Sequence, residues 1–355
     1  MFSEVRKRAQ KAGQPPGTAI YTGEKSDSQP LVTCVQYNGS DISEKTGNQL
    51  KDCLTEQKPG MNTWVNVEGL HNASLIEETR NHFNLHPLTI EDILNIEQRP
   101  KVEEFDHYLF VTMKILEWLP KSFSFSINQL SLIIGKDYVL SFHEEKSSRF
   151  NEIRKRLLST PNQRLRQQGS DYLAYRIIDA VVDQYFVVLE GLGDQIEDIE
   201  QRIITSPTPQ NARTVYRLKR QMLLLRKAIW PMREAINHLL YVEDELITKF
   251  TRVYLRDVYD HSMQAIDTLE TFRDMLSGML DMYLSGLTIR MNEIMKTLTI
   301  ITTTVIPITA LSSIYGMNLS GVPLMHSSWG FSIVSSLMAL IVILMMIYFR
   351  RKKWI

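Results

Sequence analysis

Two stretches near the C-terminus decide the fold: Ile294–Ile314, IMKTLTIITTTVIPITALSSI, and Phe331–Phe349, FSIVSSLMALIVILMMIYF. The first has one charged residue among 21, Lys296, and the second has none among 19. At about 1.5 Å per helical residue they reach roughly 31 and 28 Å, the thickness of a bilayer's hydrocarbon core. The second reads as a lipid-facing helix, with only three serines interrupting it. The first differs in kind: Lys296, six threonines and two serines make nine of its residues polar. Such a helix gains little from lipid on every side, so one face is expected on protein or water.

Orientation follows from the bases. Arg350, Arg351, Lys352 and Lys353 abut the second segment, while the loop from Tyr315 to Gly330 has no Lys or Arg. The positive-inside rule puts this tail and the large N-terminal part in the cytoplasm, as in a multi-pass protein of the cell (inner) membrane with both termini inside. The stretch MFSEVRKRAQKAGQPPG lacks an apolar run and reads as a mobile basic tail rather than a signal peptide. Cys34 and Cys53 are the only cysteines, and no disulfide is expected of them in the cytoplasm.

Over all 355 residues, 40 Lys+Arg balance 40 Asp+Glu. That balance gives no support to a nucleic-acid partner. It conceals a division, because no acid follows Glu293 while five bases do. The body before that point carries −5 and the membrane end +5. The basic end faces inner-leaflet lipid phosphates.

The rest of the chain divides by texture. Residues 1–30 form the tail and 31–145 read as a mixed α/β domain. Strands are expected at Leu31–Tyr37, Thr63–Val67, Tyr108–Ile115, Leu130–Ile134 and Tyr138–Phe142, with helices at Ser74–Phe83 and Pro87–Asn95. Residues 146–243 turn to charged amphipathic helix, with breaks near Gly169, at Ser206–Pro209 and at Trp230-Pro231. From about Asp244 one helix is expected to run to Ile314. Its 244–293 part is a stalk, 294–314 the first membrane helix, 315–330 an external loop, 331–349 the second membrane helix and 350–355 the basic tail.

The stalk carries heptad rows, Leu255, Ser262, Leu269, Leu276, Tyr283 and Tyr259, Ile266, Arg273, Leu280, Leu287, which favour helix association along a seam. Asp260, Asp267, Asp274 and Asp281 also recur every seven residues. One residue per two turns sets them about 10 Å apart, too far for one ion to bridge, so they read as a solvated face.

Within the first membrane segment and just before it, Asn292, Met295, Leu298, Thr302, Ile306, Thr309 and Ser313 fall on one helix stripe. Threonines on other faces leave the pore face open on this pattern alone. The stripe's chemistry is that of a neutral pore: apolar constrictions at Met295, Leu298 and Ile306, and hydroxyls for an ion's water shell. A stalk running into such a helix points to several copies around a conduit, with cyclic symmetry.

The segment Tyr315-Gly316-Met317-Asn318, set between two C-terminal membrane segments, resembles the signature of the CorA magnesium transporter family. So do His86–Leu94, Gln98–Lys101, Asp257–His261, Thr271–Asp274 and the tail Lys352-Lys353-Trp354. The resemblance implies a homopentameric funnel that admits Mg2+ down its gradient. It implies that Gly316, Met317 and Asn318 form the outer selectivity ring for hydrated Mg2+, and that the stripe above lines the pore. It also implies regulatory Mg2+ held between subunits by Asp92, Asp257, Glu91 and Asp179. Transport of Co2+, Ni2+ or Zn2+ by the same fold is the alternative. Departures include Ile306 where relatives often have methionine, Ser313 where they often have glycine, and an outer loop without acids, in which His326 is an ordinary loop histidine by default. A membrane-anchored enzyme or sensor is the remote alternative, since no phosphate loop, His-Glu-x-x-His run or nucleophile motif is present. No enzyme activity and no obligatory protein partner are expected.

Overall fold

In the computed structural model the residues described are 13, 15–23, 29–54, 58–144, 150–159, 164–242, 245–317, 322–324 and 327–354. They fall into two units, Met1–Ile199 with Arg213–Ser277, and Glu200–Ala212 with Gly278–Ile355.

The first unit is built on strands β1 (Leu31–Tyr37), β2 (Ile42–Gly47), β3 (Asn62–Glu68), β4 (Lys101–Phe105), β5 (Tyr108–Leu119), β6 (Ser124–Gly135) and β7 (Tyr138–His143). They form one sheet in the order β2-β1-β3-β7-β6-β5-β4. Every pairing is antiparallel except β3 with β7. Register explains why both faces are apolar. Cys34, Val65, Leu140, Ile133 and Phe110 lie side by side across five strands, and Val35, Trp64, Val139, Ile134 and Leu109 form the next row. Successive residues of a strand point to opposite faces, so the two rows feed two separate layers.

The first row packs on helices α1 (Leu50–Cys53), α2 (Ala73–Phe83) and α3 (Pro87–Leu94) through Leu50, Leu75, Ile76, Phe83, Ile90 and Ile93. Helices α4 (Asn151–Ser159) and α5 (Arg164–Gln167) precede α6 (Ser170–Thr205). The last lies against the sheet. Its Tyr185 hydroxyl donates to the Lys114 carbonyl at 2.8 Å, and the Ser170 hydroxyl donates to that of Gly135 at 2.6 Å.

Sequence reading placed five strands and two helices well and missed β2, β4 and α1. The expected break at Trp230-Pro231 is absent: α7 runs unbroken over Pro209–Tyr241 with Pro231 inside. The missing amide costs one ladder bond, which tertiary contacts offset, since Ile229, Met232 and Ile236 are buried.

The long helix is present as α8 (Lys249–Tyr315), starting five residues later than expected. Its start is fixed by buried Asp171, whose carboxylate accepts from the Thr248 amide at 2.9 Å and hydroxyl at 2.6 Å. The stalk seam is partly shifted. Leu255, Ser262, Leu269 and Leu276 are buried as the first heptad row requires, and so is Ile266 of the second; Tyr259 and Leu280 are only partly buried and Arg273 is exposed, while Val258, Ala265 and Met279 are buried beside them. The seam is also occupied within the chain. A Cβ on Gly193 of α6 would lie 3.1 Å from the Phe272 ring, and Arg226 of α7 reaches Glu270 at 3.9 Å.

The second unit holds the rest of α8, the α6–α7 connection and α9 (Gly330–Arg351). Pro207 of the connection packs 3.0 Å from the Cβ position of Gly286. α8 and α9 are long and apolar enough to cross a membrane.

Candidate functional site: a neutral helical stripe and two groups of acids

The seven stripe residues, Asn292 to Ser313, lie on one continuous helix and all are exposed in the single chain. Their polar members are neutral. The threonine hydroxyls bond back along the helix: Thr302 donates to the Leu298 carbonyl at 2.9 Å and Thr309 to that of Val305 at 3.0 Å. Thr297, Thr299 and Thr304 do the same. With the proton so directed, each hydroxyl oxygen keeps lone pairs outward and acts as an acceptor.

Helix α8 closes where the signature begins. The Gly316 amide donates to the Ser312 carbonyl at 2.9 Å and that of Met317 to Ile314 at 3.3 Å. Gly316 does not use a left-handed φ. A Cβ there would lie 3.2 Å from the Ser312 carbonyl oxygen, a tight approach to the helix end. Asn318 and His326 lie outside the described residues.

Among the four acids, Glu91 and Asp92 stand in the last turn of α3, where the helix dipole is negative and a cation is favoured. Glu91 accepts from the Gly17 amide at 2.8 Å. Asp92 accepts from Gln98 Nε2 at 2.6 Å and from Lys101 Nζ at 2.5 Å. Burial pushes the Asp92 carboxyl above its usual range, and the Lys101 ammonium opposes that.

Asp179 on α6 is buried and accepts from Arg176 at 2.7 Å. Burial, then the charge of Asp183, raises its pKa against the pull of Arg176 and His261. Asp179, Asp183 and His261 present ligand atoms within 4.8 Å of one another. Exposed Asp257 lies 3.9 Å from His261 Nε2. Asp179 and Asp257 are thereby gathered around one imidazole. Asp183 and His261 were not singled out from sequence, although each lies one helical turn from a residue that was. The heptad aspartates of the stalk are exposed.

Two carboxylates and an imidazole suit a divalent cation whose remaining positions are water. Oxygens opposite each other around Mg2+ are about 4.2 Å apart. The spacing of the group, within 4.8 Å, is close to that separation.

A long helix continued into an apolar segment long enough to cross a membrane, a second such helix after it and an α/β domain before it are the architecture of a membrane protein with a large extramembrane part. Residues 60–351 match the CorA-like Mg2+ transporter protein family. A cobalt/magnesium transport protein CorA from Thermotoga maritima is 38% identical over 352 residues, covering 99% of this chain and 100% of that one. One from Methanocaldococcus jannaschii is 28% identical over 263 residues, covering 74% and 82%. The solved CorA magnesium transporter of the latter organism superposes with a TM-score of 0.76 over 91% of this chain and 98% of its own, at 23% identity. A ZntB cytoplasmic domain from Vibrio parahaemolyticus matches with a TM-score of 0.57 over 72% and 98%, at 15% identity. The chain belongs to the CorA-like Mg2+ transporter family, and it is a transporter rather than an enzyme.

Proposed function

We propose that the protein is a homopentameric channel of the cell (inner) membrane. It passes Mg2+ inward down its electrochemical gradient, with both termini in the cytoplasm. The observation that carries this reading is the unbroken α8, whose membrane part is rich in neutral hydroxyls and holds no acid. Mg2+ sheds water reluctantly, and waters bound to a cation turn their protons outward. Hydroxyl oxygens whose own protons are committed to the helix are suited to accept from such waters. Gly316, Met317 and Asn318 select the hydrated ion at the outer mouth. Met295, Leu298 and Ile306 close the path by dewetting when the pore narrows.

Asp92, Asp257, Glu91 and Asp179, joined by Asp183 and His261, bind cytoplasmic Mg2+ and favour closure. Metal-free carboxylates repel one another, and a divalent ion removes that repulsion. A second reading, carriage of Co2+ alongside Mg2+, is favoured by the name of the Thermotoga maritima relative. The test is ion uptake into proteoliposomes with wild type and Asn318→Ala. Mg2+ entry is expected to fall at least about tenfold in the variant, and undiminished entry refutes the selectivity ring. Competition by Co2+, Ni2+ and Zn2+ in the same vesicles ranks the cargo. Asp257→Ala is expected to weaken closure by internal Mg2+.

A further inference from the structure

We infer that Lys101 is a tethered competitor for the cation site at Asp92 and sets the Mg2+ concentration at which that site fills. The inference rests on the reading of Asp92 as a regulatory ligand. Both oxygens of Asp92 are engaged, Oδ1 by Gln98 and Oδ2 by the Lys101 ammonium at 2.5 Å. A Mg2+ ion on Oδ2 would sit about 2.1 Å away, inside the space the ammonium now fills. Two cations on one oxygen at that spacing repel strongly in a half-buried setting. Entry of the metal is therefore an exchange in which Lys101 leaves.

The ammonium has somewhere to go. Lys101 Nζ also contacts Glu103 Oε1 at 2.5 Å, and Glu103 is the more exposed of the two acids, at 37% against 16%. Geometry favours exchange without loss of pairing: β4 carries Lys101 and Glu103 two residues apart, on the same face of the strand. Glu103 holds the displaced ammonium while Asp92 turns to the ion. The Gln98 amide stays on Oδ1 and keeps the carboxylate oriented in both states.

The same exchange gives opposite effects for the two neighbours. Without the ammonium the site is a bare carboxylate pair and binds Mg2+ at lower concentration. Without Glu103 the displaced ammonium loses its partner, and more Mg2+ is required.

The test uses the full-length protein in detergent, with Mg2+-dependent protection from proteolysis and calorimetric Mg2+ titration as readouts. Lys101→Met and Lys101→Gln are expected to lower the half-saturating Mg2+ about two- to fivefold, the upper range of a partly exposed ion pair. Lys101→Arg is expected to stay near wild type, and Glu103→Gln to raise the midpoint. Lys155→Met serves as a control for bulk charge, since its partner is Glu152. Unchanged midpoints in both neutral Lys101 variants, or an equal shift in the Lys155 control, overturn the inference. Asp92→Asn distinguishes the two levels. If it leaves the midpoint unmoved, the reading of Asp92 itself fails; if it raises the midpoint while Lys101 variants do nothing, only the competitor role fails.

Discussion

The Lys296 ammonium donates to the carbonyl oxygen of Lys353 at 3.1 Å, joining the membrane part of α8 to the end of α9. That end is closed by its own cap. Lys353 adopts a left-handed φ of 55°, the Trp354 amide donates to the Phe349 carbonyl at 3.0 Å, and the two aromatic rings stack with centroids 5.7 Å apart. This is a Schellman ending with its apolar contact. Lys296→Met removes one tie and leaves the cap. Trypsin cleavage within Arg350–Lys353 is expected to quicken about fivefold, the equivalent of one hydrogen bond worth about 1 kcal/mol. An unchanged rate means the cap alone holds the tail.

Two glycines on the long helices predict opposite signs. A Cβ on Gly191 of α6 would fall within the indole of Trp118 on β5. Gly191→Ala is expected to destabilise by about 1–3 kcal/mol, because overpacking outweighs the gain in helix propensity. Gly278 on α8 has no atom within 4 Å of the same position. Gly278→Ala is expected to stabilise by about 1 kcal/mol, a rise in melting temperature of about 2 °C. A fall at Gly278 reveals a neighbouring copy packed against it.

These positions also mark how far the sequence could be read. The central strands were legible because their apolar runs are continuous, and both membrane helices because their long stretches are almost free of charge. β2 (ISEKTG) and β4 (KVEEF) were not, and the topology explains why: they are the two edges of the sheet. An edge strand protects its open side with charge, which erases the pattern that betrays a strand. Pro231 misled because burial around it outweighs one lost amide bond. The stalk's second row held at Ile266, with Val258, Ala265 and Met279 filling the rest of the seam, because α8 packs on α6 and α7 of its own chain rather than along a partner supercoil. At the acid site, Asp179 and Asp257 came from the family resemblance, and His261 stands in the same block as Asp257 without being read there as a ligand. Asp183 and His261 needed the facing of two helices, which no local pattern carries.

The Asp179 carboxyl is held above its ordinary range by burial and by Asp183. Its folded form therefore binds a proton more tightly than the unfolded chain does. The stabilisation from protonation is complete below the ordinary value of 3.8 and is lost as pH rises through the raised folded value. In EDTA at pH 7 the ionised group is a cost. Asp179→Asn is expected to melt higher than wild type there, and the difference is expected to close as the pH approaches 4. Under the proposed function Mg2+ at this carboxylate relieves the same cost in wild type, so the variant is expected to gain less from added Mg2+. Equal melting temperatures at pH 7 indicate that Arg176, 2.7 Å away, neutralises the carboxylate fully.

The threonine stripe makes the sharpest chemical claim about the pore. Thr302 and Thr309 spend their hydroxyl protons on the carbonyls of Leu298 and Val305, so what each offers outward is an acceptor oxygen. Serine keeps that oxygen and the same back-bond. Valine keeps the shape and removes the oxygen, leaving a methyl group toward the conduit. If the ion passes hydrated, its shell needs acceptors along this face, and each lost acceptor raises the barrier by about one hydrogen bond, 0.5–1.5 kcal/mol. Thr309→Val is expected to slow Mg2+ uptake about two- to tenfold, and Thr309→Ser to leave it near wild type. Thr304 bonds to Ile300 in the same way from a partly buried position off the stripe. Thr304→Val is therefore expected to change uptake little. Equal losses at Thr304 and Thr309 would move the conduit to another face of the helix, whereas a loss confined to Thr302 and Thr309 fixes it on the stripe.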